Sequence, residues 1–166
     1  MFDGSVEVFE RLRRPNTAII ITTVGNKILI QKEQQPDREA PFLTLPGGRC
    51  EWGEDPLKAA KRELLEETGY ESSNWTLWKE IRPYHKIDWT VYLFIARQGR
   101  KVQEPHHDAG EKITAQLVDF EHFLLFSEDE SLRNKELVEI LLRARLDPGK
   151  KEELHGLLFR AATVHN

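Results

Sequence analysis

The first third of the chain alternates between strand-forming runs and turn-forming residues. Thr17–Thr23 is mostly β-branched, which is typical of a buried strand. A Gly25-Asn26 turn separates it from a second apolar run, Lys27–Gln31, so the two runs are predicted to form a β-hairpin. Glu33–Pro41 is polar and proline-containing, which predicts a loop, and Phe42–Leu45 predicts a short strand after it.

Three further strand-like runs follow in the middle of the chain. Trp75–Ile81 and Asp88–Arg97 are rich in aromatic and β-branched residues, and Pro83 interrupts the pattern between them. Gln98–Gly110 is a polar loop, and Lys112–Val118 predicts the last strand. This half of the chain is therefore expected to contribute to the same sheet as the hairpin.

The segment between the two groups of strands predicts one well-defined helix. Asp55 followed by Pro56 is a helix start, because an aspartate N-cap accepts an amide hydrogen and proline at the first helical position loses nothing. Gly69 suits the left-handed position just past a helix end. The helix is therefore expected to run from about Pro56 to Thr68.

Helical patterns dominate the last third of the chain. Asp119–Phe126 predicts a short helix, and Ser127–Glu130 has the spacing of a capping box that opens a long helix to about Leu146. Asp147-Pro148-Gly149 is expected to stop that helix, and Lys151–Ala162 predicts a final amphipathic helix. Strands on both sides of one helix, with more helices behind, indicate a mixed sheet between helical layers.

Composition fits a single domain, residues 1–166, with a sizeable core. The 166 residues are 39% hydrophobic and 31% charged, with a net charge of −4, so there is no general attraction to nucleic acid polymers or anionic membranes. Cys50 is the only cysteine, which excludes an intramolecular disulfide and favours a cytoplasmic setting. We interpret it as a small structural residue. A signal peptide and a transmembrane segment are not expected.

The central helix carries a clustered acidic face. Glu63, Glu66 and Glu67 lie within about a quarter turn at 3.6 residues per turn, and only Arg62 offers local relief from their repulsion. Ala59 lies one turn earlier and is expected to leave room for a ligand. A solvated acidic face is the ordinary alternative, but a hard divalent cation, which prefers carboxylate and carbonyl oxygens, explains the clustering. An adjacent apolar stripe is expected to pack on the sheet: Leu57, Ala60 and Leu64.

The segment Gly48–Tyr70 resembles the signature box of the Nudix hydrolases. That pattern is a glycine, five residues, a glutamate, seven residues, then Arg-Glu-apolar-x-Glu-Glu-x-Gly-apolar. All its defined positions are filled: Gly48, Glu54, Arg62, Glu63, Leu64, Glu66, Glu67, Gly69 and Tyr70. The resemblance implies a Nudix-type α/β/α sandwich with a mixed β-sheet over about residues 16–126, with the C-terminal helices, about residues 127–166, as an extension.

The resemblance also assigns roles to residues of the box. It implies that Mg²⁺ or Mn²⁺ binds the backbone carbonyl of Gly47 and the carboxylates of Glu63, Glu66 and Glu67. By the same resemblance Arg62 orients Glu63 through a salt bridge, and Glu54 ties the loop to the helix. The implied reaction is hydrolysis of a nucleoside diphosphate linked to another group, with a bound metal screening the phosphate charge.

The proton acceptor for the attacking water varies in the family. The candidates in this chain are Glu63 within the box and three loop acids outside it, Glu104, Asp108 and Glu111. We favour Glu111 among the loop acids, because it immediately precedes a predicted strand; a solvated strand-edge glutamate is the alternative. The neighbouring His106-His107 pair is interpreted as solvated rather than as a metal site, since oxygen ligands suit the expected ion.

The substrate is the least constrained part of the prediction. Residues 28–35 and 43–48 resemble the ADP-ribose and ADP-sugar pyrophosphatases, although that branch often has proline where this chain has Lys86. Phe42 and Tyr84 are candidate platforms for a base, together with Trp89, and Arg82 is a candidate phosphate or ribose ligand. Trp52 in the glycine loop either covers the substrate or packs on its neighbours.

Two alternatives stay open beside a pyrophosphatase for ADP-sugar-like compounds. One is a house-cleaning nucleoside triphosphate pyrophosphatase similar to MutT. The other is a sensor or interaction module that binds a nucleotide without cleaving it, against which the complete set of box glutamates argues. A homodimer is expected because many members of the family dimerise.

Overall fold

The computed structural model describes residue 2 and residues 4–106 and 112–160. In chain order its strands are β1 (Leu12–Arg13), β2 (Thr17–Val24), β3 (Lys27–Gln34), β4 (Phe42–Thr44), β5 (Gly47–Arg49), β6 (Tyr70–Glu71), β7 (Asn74–Ile81), β8 (Ile87–Asp88), β9 (Val91–Arg97), β10 (Arg100–Lys101) and β11 (Lys112–Val118). The helices are α1 (Pro56–Thr68), α2 (Phe120–Leu125), α3 (Lys135–Leu146) and α4 (Pro148–Phe159), with a 3₁₀ turn at Phe126–Glu128.

The main sheet is mixed, as expected. Its strand order is β11-β3-β2-β9-β7, with β4 paired to β3 and β5 paired to β2. Strands β2 and β9 run parallel, whereas the other pairs of this sheet are antiparallel. The predicted hairpin is β2–β3, although β3 continues to Gln34, beyond the expected end at Gln31.

Helices cover both faces of the sheet, so the expected α/β/α arrangement is confirmed. Helix α1 packs on one face through a small core formed by Ala60 and Leu64 against Ile20 and Leu29. Helices α2, α3 and α4 cover the other face and bury a larger cluster of aliphatic and phenylalanine side chains. The alternation of side chains along β2 and β3 supplies both cores, because successive residues point to opposite faces.

The predicted start of the long C-terminal helix is wrong. Ser127 does not cap it; the Ser127 hydroxyl donates to the carbonyl of Leu124 (2.9 Å), and α3 begins only at Lys135. The intervening residues pair with β4 instead, since Leu43 exchanges backbone hydrogen bonds with Ser131 and Arg133. A local capping signal is therefore overridden by a tertiary pairing.

Asn134 shows what the delayed helix start makes possible. Its side-chain carbonyl accepts hydrogen bonds from the Leu45 N–H (2.8 Å) and the Thr44 hydroxyl (3.1 Å), and all three groups are buried. Asn134 thus fixes the chain just before the glycine strand β5.

The other helix and strand boundaries differ less from those predicted. Asp147 ends α3, but its side chain also caps α4, which begins at Pro148 and not near Lys151. The predicted strand from Asp88 begins only at Val91, because Ile87–Asp88 pairs with β1, a short strand that the sequence pattern did not indicate. No helix in the described part of the chain is long and apolar enough to cross a membrane.

Candidate functional site

Helix α1 has the boundaries that its capping residues predict. The Asp55 carboxylate accepts the N–H groups of Leu57 and Lys58, each at 3.0 Å, and Pro56 occupies the first turn. Gly69 ends the helix at φ 72°, a left-handed conformation that glycine adopts without steric cost. The helix is thus fixed at both ends independently of its acidic face.

The expectation for Ala59 is wrong. Its side chain is fully buried (0% exposed) and packs in the core between α1 and the sheet, so it leaves no room for a ligand. Ala59 and Ala60 are consecutive residues that are both fully buried in this core, and their small side chains let α1 approach the sheet closely. The room beside the acidic face comes from glycines of β5 instead.

Strand β5 passes directly beside the Glu63 carboxyl group. Gly48 pairs with Ala18 of β2, and a Cβ placed on Gly48 would lie 2.5 Å from Glu63 Cδ and Oε1. Gly47 has φ 149°, and a Cβ there would collide with the Ala18 carbonyl. These two glycines therefore let β5 pair with β2 and lie directly against the acidic face of α1.

Arg62 connects the acidic residues to one another. Its Nη1 lies 2.9 Å from Glu63 Oε1 and 3.1 Å from Glu66 Oε2, and its other nitrogens lie 3.4 Å from the two oxygens of Glu54. Arg62 also donates to the Arg49 carbonyl at 3.3 Å. Burial alone would lower the pKa of Arg62, but hydrogen bonds and ion pairs with the three glutamates raise it, so it stays charged.

Glu54 links the glycine loop to the helix. Its carboxylate accepts the Glu51 N–H (2.8 Å) and contacts Arg62. The hydrogen bond from the Glu51 N–H has the largest effect and lowers the pKa of Glu54; burial opposes it, and Arg62 lowers the pKa further.

Burial affects Glu63 differently. Only 15% of its side chain is exposed, and the loss of hydration raises its pKa even though the charge and hydrogen bond of Arg62 lower it. A carboxyl group with a raised pKa is a better proton acceptor at neutral pH than an ordinary exposed glutamate.

Glu67 lies against the sheet. Its Oε2 accepts two hydrogen bonds of 3.0 Å, from the Gly47 N–H and from Gln31 Nε2. Burial raises the pKa of Glu67 to about 8, with the negative charges of Glu63 and Glu33 adding to the rise and the two hydrogen bonds opposing it. Sequence reasoning missed Gln31, because a glutamine on a strand gives no motif signal.

The acidic residues suit a hard cation chemically, although their side chains are not gathered around one point. Among residues 4–106 and 112–160, no three acidic, histidine or cysteine side chains form a group that could hold a metal as they stand. Glu63 and Glu66 face Arg62, whereas Glu67 faces Gly47 and Gln31. The donor set is all oxygen and the burial of Glu67 disfavours its charge, so a divalent cation would fit both features.

The predicted substrate residues occupy different environments. Phe42 is 5% exposed and has the guanidinium carbons of Arg38 and Arg133 at 4.8 and 5.2 Å from its ring centroid, so it offers no open face to a base. Its strand position buries it, which corrects the expectation of a platform. Tyr84 is 59% exposed, and Arg82 is exposed in the same connection between β7 and β8.

Tyr84 belongs to a layered cluster of aromatic rings and arginines. The centroid of its ring lies 6.2 Å from that of Trp89, with 15° between the ring planes, so the two rings are stacked. The Arg14 guanidinium lies 4.2 Å from the centroid of the Trp89 ring. Trp89 Nε1 donates to the Thr17 hydroxyl at 3.0 Å, which fixes the ring, and Thr17 is the register partner of Arg49 in β5. The cluster therefore borders the glycine strand.

A second pair extends this surface. Trp52 is 63% exposed, and the Arg13 guanidinium lies 5.0 Å from its ring centroid. This contact leaves most of the Trp52 side chain exposed, so both interpretations from sequence stay open. We call the combined surface the basic aromatic face and define it by Arg13, Arg14, Trp52, Tyr84 and Trp89.

The structure describes only some of the loop residues that were candidates for the proton acceptor or for a metal ligand. Glu111, Asp108 and His107 lie outside the described residues. Glu104 is exposed and pairs with Lys101 at 2.9 Å. The N–H of His106 donates to the Glu66 carbonyl at 2.7 Å, so the loop begins beside the C-terminal end of the acidic face.

Cys50 is a buried structural residue, as expected. It is 3% exposed, and burial, aided by Glu54, raises the pKa of its thiol to about 11. A thiol of this kind is largely protonated at neutral pH and is a poor nucleophile.

The chain matches known proteins over most of its length. The profile of the NUDIX domain matches residues 12–139. The chain is 34% identical over 98 residues to a methanol dehydrogenase activator of Bacillus methanolicus, covering 57% of this chain and 52% of the relative. It is 29% identical over 107 residues to an ADP-ribose pyrophosphatase of Bacillus subtilis (strain 168), covering 61% and 56%. It is also 36% identical over 62 residues to an 8-oxo-dGTP diphosphatase of Escherichia coli (strain K12), covering 37% and 48%.

Solved structures agree on the fold. An ADP compounds hydrolase superposes with a TM-score of 0.71 at 21% identity, covering 91% of this chain and 82% of that one. A NUDIX hydrolase from Nitrosomonas europaea superposes with a TM-score of 0.60 at 20% identity, covering 92% and 97%. The chain spans about half the length of the curated relatives that it matches. From the extent of the NUDIX match and the completeness of the box, this chain belongs to the Nudix family.

Proposed function

We propose that this protein is a divalent-metal-dependent hydrolase that cleaves the diphosphate of a nucleoside diphosphate linked to another group. The observation that carries the proposal is the acidic face of α1, with Arg62 joining Glu54, Glu63 and Glu66 beside the glycine strand. Nudix hydrolases generally use divalent metals. Mg²⁺ or Mn²⁺ is proposed here because the available donors are carboxylate and carbonyl oxygens.

The residues of the box would have different roles in such a reaction. The carboxylates of Glu63, Glu66 and Glu67, with the Gly47 carbonyl, would hold the metal. The metal would supply charge screening for the phosphates and would acidify a water. Arg62 restrains Glu63 and Glu66, and Glu54 restrains Arg62 from the loop side.

Among the described residues, Glu63 is the proton acceptor that the geometry supports best. Burial raises its pKa, and the 2.9 Å contact with Arg62 fixes its carboxyl group. Glu111 remains the loop acid predicted from sequence. Turnover of Glu111→Gln against pH tests it: a general base causes activity to fall at low pH, where it is protonated, so loss of this acidic limb would assign the role to Glu111 and remove it from Glu63.

ADP-ribose or an ADP-sugar is the substrate class that we propose. The match to the ADP-ribose pyrophosphatase covers 61% of this chain, against 37% for the match to the E. coli 8-oxo-dGTP diphosphatase. The shorter match keeps a MutT-like nucleoside triphosphate pyrophosphatase as the second candidate. A non-catalytic nucleotide sensor is disfavoured, because the chain retains all three box carboxylates and the arginine that orients two of them.

We also propose that the basic aromatic face receives the nucleoside end of the substrate. Tyr84 presents an exposed ring, and Arg82 lies two residues before it in the same connection. Base stacking on an aromatic ring is worth about 1–3 kcal/mol, and guanidinium groups suit phosphate oxygens. Trp52 of this face lies in the loop that joins β5 to α1, so we expect one extended substrate to contact both the face and the box.

A nucleotide panel with Mg²⁺ or Mn²⁺ tests the proposed function. Release of AMP and ribose 5-phosphate from ADP-ribose supports the first candidate, and release of pyrophosphate from a deoxynucleoside triphosphate supports the second. Absence of hydrolysis across the panel would favour the sensor. The homodimer and the cytoplasmic location rest on sequence alone, and sedimentation analysis of the purified protein tests the former.

A substitution at Tyr84 tests whether the basic aromatic face binds the substrate. Tyr84→Leu is expected to raise KM for the substrate about tenfold, since one stacking contact is lost, with kcat little changed. Leu125→Ala is the control, because Leu125 is also exposed (51%) but lies on α2, outside the basic aromatic face. An unchanged KM in Tyr84→Leu would exclude Tyr84 from substrate binding.

A further inference from the structure

Gln31 occupies a position where an apolar residue would be expected. It is fully buried (0% exposed) on β3, and its side chain shares a face with Leu29 and Glu33, two residues before and after it. Leu29 packs in the core against Leu64 of α1, whereas Glu33 is a buried acid. Gln31 therefore marks the point at which this face of the strand passes from the apolar core to the acidic cluster.

The amide of Gln31 is only partly satisfied. Its Nε2 donates to Glu67 Oε2 at 3.0 Å, while its Oε1 is buried and has no hydrogen-bond partner among the residues that the structure describes. Burying a polar atom without a partner costs stability, so each such atom in a folded protein calls for an explanation. The donor is the part of the side chain that is used, and its acceptor is a carboxylate of the box.

Two donors converge on the same oxygen of Glu67. The Gly47 N–H, from β5, and Gln31 Nε2, from β3, both lie 3.0 Å from Oε2. Both belong to strands of the central sheet, so they hold Oε2 of this carboxyl group in place relative to rigid elements. Gln31 is uncharged and donates without neutralising the carboxylate, whereas a lysine or arginine at this position would compete with a cation for it.

We propose that Gln31 is a positioning residue that orients the Glu67 carboxylate for a divalent cation. The inference rests on the proposed function, because it takes Glu67 as a metal ligand. Hydrogen-bond partners of metal ligands fix ligand geometry, and their loss typically weakens metal binding or activity by about 10- to 100-fold. Gln31 thereby adds a residue outside the box to the machinery of the box.

Direct metal binding to Gln31→Met tests the proposal, because methionine has a similar length and no donor. Titration of Mn²⁺ into substrate-free protein, followed by calorimetry, is expected to give about 10- to 100-fold weaker binding than in the wild type. Gln34→Met is the matched control: Gln34 is exposed on the same strand, and its replacement is expected to leave Mn²⁺ binding unchanged. In turnover, the Mn²⁺ concentration for half-maximal activity should rise in Gln31→Met, while KM for the nucleotide at saturating Mn²⁺ stays the same.

The outcomes separate the inference from the proposed function. Wild-type protein that binds no Mn²⁺ would refute the metal-dependent function and the role of Gln31 together. Wild-type binding with an equal affinity in folded Gln31→Met would refute only the role of Gln31. If Gln31→Met does not fold, Gln31→Asn serves in its place, because its amide is one carbon–carbon bond too short to reach Glu67, and wild-type affinity there would equally overturn the proposal.

Discussion

Gly48→Ala is expected to impair catalysis with little effect on stability. A Cβ at Gly48 would lie 2.5 Å from Glu63 Cδ and Oε1 and 2.8 Å from Oε2. Ordinary contacts begin at about 3.4 Å, so the carboxyl group must retreat by about 1 Å. Oε1 also holds the 2.9 Å hydrogen bond from Arg62, which the retreat would disturb. A misplacement of about 1 Å at a reacting group can lower turnover about 100-fold.

The effect on stability should be small for two reasons. Gly48 does not have a positive φ, so alanine adopts its backbone conformation without strain. Replacing glycine at a compatible position also lowers the entropy of the unfolded chain, which stabilises by about 0.4–1 kcal/mol and offsets the side-chain shift. Steady-state kinetics and urea unfolding of the same preparation measure the two effects.

Gly53→Ala is the control with the opposite pattern. Gly53 lies in the same loop with φ 83°, and a Cβ there would meet nothing within 4 Å. This variant should lose stability through backbone strain while retaining turnover. Gly48→Ala should also add little to the defect of Glu63→Gln, because both changes act on one carboxyl group. Turnover of Gly48→Ala within threefold of wild type, or full additivity with Glu63→Gln, would refute the steric reasoning.

Three further predictions follow from the contacts around the site. Glu67→Gln is expected to lose most activity and remain folded, since the amide oxygen can still accept the Gly47 N–H; kcat and circular dichroism check this, and unchanged turnover would contradict the site assignment. Without metal, the folded protein keeps a proton on Glu67 up to about pH 8 that the unfolded chain releases near pH 4.5, so stability should fall as pH rises through this window. Urea unfolding in a chelator at several pH values measures the slope, which should be absent in Glu67→Gln. Asn134→Ala is expected to destabilise by about 2 kcal/mol, because the buried Leu45 N–H loses its acceptor; a change below 0.5 kcal/mol in urea unfolding would show that the contact is dispensable.

Local signals sufficed wherever a short segment determined its own conformation. The bounds of α1 follow from Asp55, Pro56 and Gly69, and each of these acts within one turn of the helix. The β2–β3 hairpin likewise follows from its turn and its β-branched runs. The box glutamates were found because their spacing is a property of the helix alone.

Local signals failed where a distant segment competed for the same backbone. Ser127–Glu130 has a capping-box pattern, but residues after it pair with Leu43, more than eighty positions earlier in the chain. Leu12–Arg13 forms a strand only because Ile87–Asp88 is available beside it. Neither pairing can be predicted from the sequence pattern of the segments that form it.

The same distinction applies within the site. The sequence predicts that Arg62 relieves the acidic face, but only the fold shows that one guanidinium contacts Glu54, Glu63 and Glu66 together with the Arg49 carbonyl. A change at Arg62 would therefore act on the loop and on the helix at once, and its effect could not be assigned to a single salt bridge.

Glu67 differs from Glu63 and Glu66 because two of its hydrogen-bond donors come from the sheet and not from the helix. Gly47 and Gln31 lie on different strands, and each contacts the same carboxylate oxygen. The orientation of this carboxylate thus depends on how β3 and β5 lie relative to α1, which is a property of the packed sandwich. The glutamates Glu63, Glu66 and Glu67 can be found from sequence because they lie on one helix, whereas the role of Gln31 can be recognised only once the fold places β3 against that helix.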